Sequence, residues 1–216
     1  MQKPKINGNR MRIFIHVAII SCLIFTFPKK SDAQLAFVAG GNYSNIRSEI
    51  TLENKNPVIG YNIGFSLQYY PFKNHQKFSI VNEPGFVQKG YQQEFQETYS
   101  FRFTYFALPV LMNYEVTEQF SAQAGFEIST MISTDIEHGL QTYNNFDLGF
   151  VIGANFFGNS RINCFTRLTY GLLPMLDYYE IDELGNFNSE IHDLKNMCIS
   201  LGFKLKLYNE KIRFYK

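Results

Sequence analysis

From Gly60 to Tyr70 the chain alternates without a break: Tyr61, Ile63, Phe65, Leu67 and Tyr69 are apolar or aromatic, and Gly60, Asn62, Gly64, Ser66 and Gln68 are small or polar. Period two over that length predicts a strand with one greasy and one wet face. Including this strand, Val58–Tyr70, eight segments carry the rule, the others being Leu35–Ile46, Phe78–Gln88, Phe101–Val116, Phe120–Ser133, Asn145–Phe157, Ile162–Leu173 and Met197–Tyr208. Phe78–Gln88 is the least regular, and Pro84, which has no N–H for a ladder, predicts a bulge or local distortion there.

The connections alternate between long and short. Arg47–Pro57, Lys89–Ser100, Thr134–Asn144 and Pro174–Asn196 are long and polar, whereas Pro71–Lys77, Thr117–Gln119 and Gly158–Arg161 are short. Eight alternating segments joined in this way predict an all-β fold: an eight-stranded antiparallel transmembrane β-barrel, an up-and-down meander with short periplasmic turns and long outer loops. An even strand number returns the N- and C-termini to the periplasm. A lipocalin-like soluble barrel has the same strand count with its apolar face turned inward. Glycine on the polar face, the high polarity of that face and aromatics at both ends of the apolar face favour the membrane barrel.

Composition agrees with this reading. The chain is 17% aromatic, with 22 Phe, 14 Tyr and no Trp. The slightly negative mean hydropathy is expected when only alternate residues meet lipid. At the N-terminus Lys3, Lys5, Arg10 and Arg12 precede an apolar run from Ile13 to Phe27, then Ser31-Asp32-Ala33, predicting a cleaved signal peptide over 1–33 and a barrel domain over 34–216. The run is short for a span of about 20 residues and holds His16 and Ser21, which disfavours an uncleaved anchor. Cys22 lies inside the run, which disfavours lipidation there. Cleavage leaves 14 basic against 18 acidic residues, so no basic surface points to nucleic acid. No remaining stretch is long and apolar enough for a transmembrane helix.

Strand parity turns Glu83, Glu115, Glu127, Asp147, Arg167, Lys204 and Lys206 inward. An eight-stranded barrel is just wide enough for side chains to fill it, so these charges are expected to pair as a polar plug rather than to line a conduit. Asp147 is the expected partner of Arg167, with Glu127 one strand further away. The parity of Cys164 and Cys198 is opposite and their strand ends differ, so free thiols are expected.

Catalytic, cofactor and metal sites are each expected to be none. His75 falls in a short turn, and His138 and His192 in outer loops. His192 with Ser189 is the best catalytic candidate, but nothing fixes the two in a working geometry. The loop Pro174–Asn196 carries Asp177, Glu180, Asp182, Glu183, Glu190 and Asp193; their spacing matches no Ca²⁺ loop, and a solvated loop is expected.

The segments VAGGNYSNI, YNIGFSLQYYPF, FSIVNEPGFVQKG, YFALPVLMNYEV, FSAQAGFEIS, DLGFVIGANF, FTRLTYGLLPML and ISLGFKLKL, which span nearly all of residues 34–216, resemble the PorT-like outer-membrane β-barrel family of Gram-negative bacteria. Val81 and Pro84, and the C-terminal Arg213-Phe214-Tyr215-Lys216, depart from its pattern. The resemblance implies a porin-like barrel of the cell envelope, with some members serving assembly of a secretion machine. The expected partners are outer-membrane lipid and, through the outer loops, other envelope proteins; the barrel itself is expected to be monomeric. A small gated pore is the alternative, and a lipid-modifying barrel enzyme stands behind both.

Overall fold

A computed structural model describes residues 32–48, 55–71, 77–94, 97–136, 143–181, 187–207 and 212–213. The strands are β1 (Asp32–Arg47), β2 (Lys55–Tyr69), β3 (Phe78–Asn82), β4 (Gly85–Glu94), β5 (Thr98–Glu115), β6 (Phe120–Thr134), β7 (Phe146–Phe156), β8 (Ile162–Gly171), β9 (Leu176–Ile181), β10 (Phe187–Asp193), β11 (Lys195–Lys206) and β12 (Ile212–Arg213). Every neighbouring pair is antiparallel. β1 pairs with both β2 and β11, which closes the sheet into a ring. The order around the ring is β1, β2, β3 with β4, β5, β6, β7, β8 and β11, so the wall has the eight staves expected.

β3 and β4 are one stave. The stave is interrupted at Glu83-Pro84, the local distortion expected there, without a register slip: Asn82 and Gly85 face Val110 and Ala107 of β5 in continuous register, and Leu67 and Gly64 of β2 in the same way. The ladder survives because the peptide groups around the proline still bond, Phe65 N–H to the Pro84 carbonyl and Glu83 N–H to the Pro109 carbonyl, both at 3.0 Å. A register shift lies higher in the same pairing, between Pro57 and Asn62 of β2.

The apolar face points out. Ile59, Phe65, Met112, Phe126, Ile152 and Leu201 are exposed, Ile59 and Leu201 by 73% and 61%, on a folded chain whose other face is buried. This removes the lipocalin-like arrangement, since that barrel would bury the same set. Aromatic pairs bridge neighbouring staves on the outer surface: Phe37–Phe65, Phe86–Phe106 and Phe126–Phe150 with ring centroids 5.7–5.9 Å apart, and Phe78–Tyr114 and Phe120–Phe156 toward the short-turn end. Cross-strand aromatic pairs of this kind stabilise a sheet by roughly 0.2–1 kcal/mol each.

On the inner wall, Gly40 of β1 and Gly202 of β11 sit directly opposite one another. A Cβ on Gly202 would lie 2.7 Å from Cζ of Phe165 and 2.8 Å from the Gly40 Cα. The glycine pair is the recess into which the buried Phe165 ring fits, and this explains why glycine concentrates on the polar face of a narrow barrel.

Candidate functional site

The lumen is stratified. At the loop end Ile46, Tyr91, Phe103, Tyr105, Met131, Met175 and Leu194 form an apolar cluster, with Phe101, Ile136, Tyr143 and Leu176 packed against it. Phe103 and Tyr105 are fully buried. Long strands extended by the loops bring these side chains together over the barrel mouth as a dry cap.

Below the cap lies Lys89 of β4. Its ammonium donates to Glu127 Oε1 at 2.7 Å and lies 3.4 Å from Asp147 Oδ2, with the Tyr105 ring 5.1 Å from Nζ. Asn196 donates to Asp147 Oδ2 at 2.8 Å and holds that carboxylate in place. Sequence reasoning placed Lys89 in a loop and so missed it. The alternation of Val87, Lys89 and Tyr91 was the available signal, since it continues the stave past Gln88 and turns Lys89 inward.

Toward the short-turn end Glu83 is the hub. Arg167 gives it a two-pronged guanidinium contact, Nη1 to Oε2 and Nη2 to Oε1, the latter at 2.9 Å; Lys204 Nζ reaches Oε1 at 2.6 Å and Ser66 Oγ donates to Oε1 at 3.0 Å. Gln123 Oε1 accepts from Nε and Nη2 of Arg167 at 3.2 and 3.0 Å. The expected partner of Arg167 was Asp147, and the structure corrects this. Arg167 is level with Gly153 on β7; Asp147 is six residues further toward the loop end, roughly 20 Å at about 3.3 Å per residue. Glu83 comes instead from the far side of the ring.

The two triads balance. Lys89 faces two carboxylates, Glu83 faces two cations, and together they hold three charges of each sign, all buried. Buried charges are tolerated when paired and hydrogen-bonded, and every member here has a partner. The remaining inward charges sit at the short-turn mouth: Glu115 accepts from the Tyr70 hydroxyl at 2.9 Å, and Lys206 donates to the Gly158 carbonyl. Between this mouth and the Glu83 triad, Asn113, Ser121, Gln123 and Asn155 bond to one another. A polar cavity of about 210 Å³ opens there, with Lys204 and Asn155 among its lining residues.

Other candidates are dispersed. His75 and His138 lie outside the described residues. His192 and Ser189 fall on β10, where the His192 backbone pairs with Asp177 of β9. No metal-holding group of three or more His, Cys, Asp or Glu occurs among the described residues. Cys164 is exposed, Cys198 is buried and both are free, as their parity implies. The segment 1–33, expected to be a signal peptide, lies outside the described residues apart from Asp32 and Ala33, which belong to β1 and pair with Arg213 and Ile212 of β12.

A closed antiparallel ring with an apolar outer band and paired charges inside is the architecture of an outer-membrane β-barrel. Residues 26–177 match the family model described as outer membrane protein beta-barrel domain, and the chain belongs to that family. Solved structures with a similar fold include the attachment invasion locus protein Ail of Yersinia pestis, with 13% identity, 82% of this chain and 99% of that one covered, and a TM-score of 0.45. Neisserial surface protein A follows with 11% identity, 81% and 99% coverage and a TM-score of 0.43, and OprG from Pseudomonas aeruginosa with 11% identity, 83% and 95% coverage and a TM-score of 0.41. No curated protein matches the sequence.

Proposed function

We propose that this protein is a plugged, monomeric outer-membrane barrel of PorT-like type that conducts nothing through its lumen and acts through its loop end, which faces the cell exterior while the termini lie in the periplasm. The observation that carries this reading is the stack of the apolar cap on two opposed ion triads. In an eight-stranded barrel the interior is only wide enough for side chains, and here those side chains bond to one another across it. The function is then presentation of the loop end to other molecules, either alone or as an accessory of a secretion or assembly complex. This reading gives the protein no catalytic role.

The small-pore reading draws on the polar cavity at the short-turn mouth. Lys204, whose ammonium is held by Glu83, lines its inner part, and the void beyond, lined by Glu83, Lys89, Glu127 and Arg167, is only about 40 Å³, so the cavity is read as a blind vestibule.

Two measurements test the proposal. An epitope inserted within residues 182–186 is expected to be labelled by antibody on intact cells; labelling only after permeabilisation would overturn the orientation. Affinity purification after mild detergent extraction then separates the two roles, a solitary barrel supporting simple presentation and a stoichiometric envelope complex supporting the assembly role.

A further inference from the structure

The six deep charges of the lumen close into the two triads. Glu115 of β5 and Lys206 of β11, at the short-turn mouth, do not follow them. Both are half-buried and line the cavity of about 210 Å³, yet among the described residues neither forms an ion pair. Glu115 accepts from the Tyr70 hydroxyl at 2.9 Å, and Lys206 donates to the Gly158 carbonyl.

Their places in the wall keep the two apart. β6, β7 and β8 separate β5 from β11 one way round the ring, and the β3–β4 stave, β2 and β1 the other, so the charges belong to opposite sides of the mouth. Each backbone is also pinned: Glu115 N–H donates to the Lys77 carbonyl and Lys206 N–H to the Arg161 carbonyl, both at 2.9 Å. An opposed charge pair held open on a rigid frame is organised in advance for a ligand that fits between.

The rest of the lining narrows the ligand. Two carboxylates, Glu115 and Glu118, and two ammonium groups, Lys204 and Lys206, border the cavity. Lys204 is already held by Glu83, and Glu118 accepts from Asn159 at 3.1 Å. A simple anion would therefore meet carboxylates and a simple cation would meet ammonium groups, whereas a molecule carrying one charge of each sign matches both walls. Amides complete the lining. Asn155 is buried, with its Nδ2 bonded to Asn113 and Ser121 and its Oδ1 left without a partner. The volume is well above the roughly 10–15 Å³ that admits one water and below the roughly 300–1,000 Å³ of pockets for drug-sized ligands, which sets the size class at a small solute.

We propose that the short-turn vestibule is a binding site for a small zwitterion, a free amino acid or dipeptide, whose ammonium is held by Glu115 and whose carboxylate is held by Lys206. The site depends on the plug inferred above for its inner wall, and occupancy entails no passage through the barrel.

Equilibrium dialysis of radiolabelled alanine and alanyl-alanine against the folded full barrel in nanodiscs, which leave both mouths open, tests this. Saturable binding of either is expected. N-acetylalanine, which lacks the ammonium, and alaninamide, which lacks the carboxylate, should each compete about tenfold or more weakly, since each loses one charge-assisted hydrogen bond. Glucose should not compete. Glu115→Lys should turn the preference to succinate and Lys206→Glu to 1,4-diaminobutane, while the two substitutions together should bind alanine again, because the ligand can reverse. Heat-modifiable mobility on gels reports the fold of each variant; if a charge swap loses it, Glu115→Gln and Lys206→Met serve instead, each weakening alanine about tenfold. No saturable binding, which leaves the cavity to water, would overturn the site. So would glucose or N-acetylalanine binding as tightly as alanine, or alanine binding unchanged in Glu115→Gln and Lys206→Met. Silent bilayer recordings alongside any of those outcomes would keep the plugged barrel and discard only the zwitterion site.

Discussion

Arg167 of β8 and Glu83, at the joint between β3 and β4, meet across the lumen in a two-pronged contact, with Nη2 to Oε1 at 2.9 Å. The two residues are 84 positions apart in the chain and on staves that are not neighbours in the ring, so the contact ties opposite sides of the barrel together.

Double-mutant cycles should find this pair and not another. Arg167→Met is expected to cost about 3–5 kcal/mol of stability, toward the lower end because Glu83 keeps Lys204. Combined with Glu83→Gln, the losses should be strongly non-additive, whereas with Asp147→Asn they should add, as they do for separated sites. Denaturant titration of the folded barrel in detergent measures both. Coupling of Arg167 to Asp147 with none to Glu83 would contradict the observed pairing.

Lys89 is the more exposed to loss, in the energetic sense. It is the cation shared by Glu127 and Asp147, and Lys89→Met should leave two buried carboxylates uncompensated, destabilising the barrel by more than Lys204→Met does. Adding Glu127→Gln and Asp147→Asn to Lys89→Met should restore much of the loss. A Lys89→Met barrel as stable as the unsubstituted protein would place this triad outside the folded interior.

The cysteines report the register. In the unfolded chain both Cys164 and Cys198 should alkylate without reductant. In the folded barrel Cys198, 2% exposed, should resist, while Cys164 on the outer wall should react with an apolar, membrane-permeable maleimide. Protection of both thiols in the unfolded chain until a reductant is added would mean a disulfide, which their positions on opposite faces forbid.

The staves were legible because each meets lipid on one side and a polar lumen on the other, so burial writes itself into the sequence with period two. Gly60–Tyr70 shows this most plainly. What was not legible depends on contacts between elements rather than along one. Lys89 was read as loop because Gly90, Gln92 and Gln93 look like turn residues, yet these positions pair with Arg102, Ser100 and Tyr99 of β5 in regular register. The partner of Arg167 could not be found by counting neighbouring strands, since Glu83 reaches it across the ring. The β9–β10 hairpin was hidden in an acidic stretch that reads as solvated loop, because Asp177, Glu180, Glu190 and Asp193 break any alternation of apolar and polar positions there. Pro84 was legible in part: its missing N–H interrupts the stave between Asn82 and Gly85, while the flanking peptide groups keep the register.

Planar-bilayer recording of the purified, folded barrel tests the plugged interior most directly. With the apolar cap over the loop end and two neutralising triads beneath it, the protein is expected to remain silent, giving no steady unitary conductance above the bilayer background, and Arg167→Ala is expected to lower stability without producing one. Reproducible channels of porin size from the unsubstituted protein would contradict the account and establish the pore in its place.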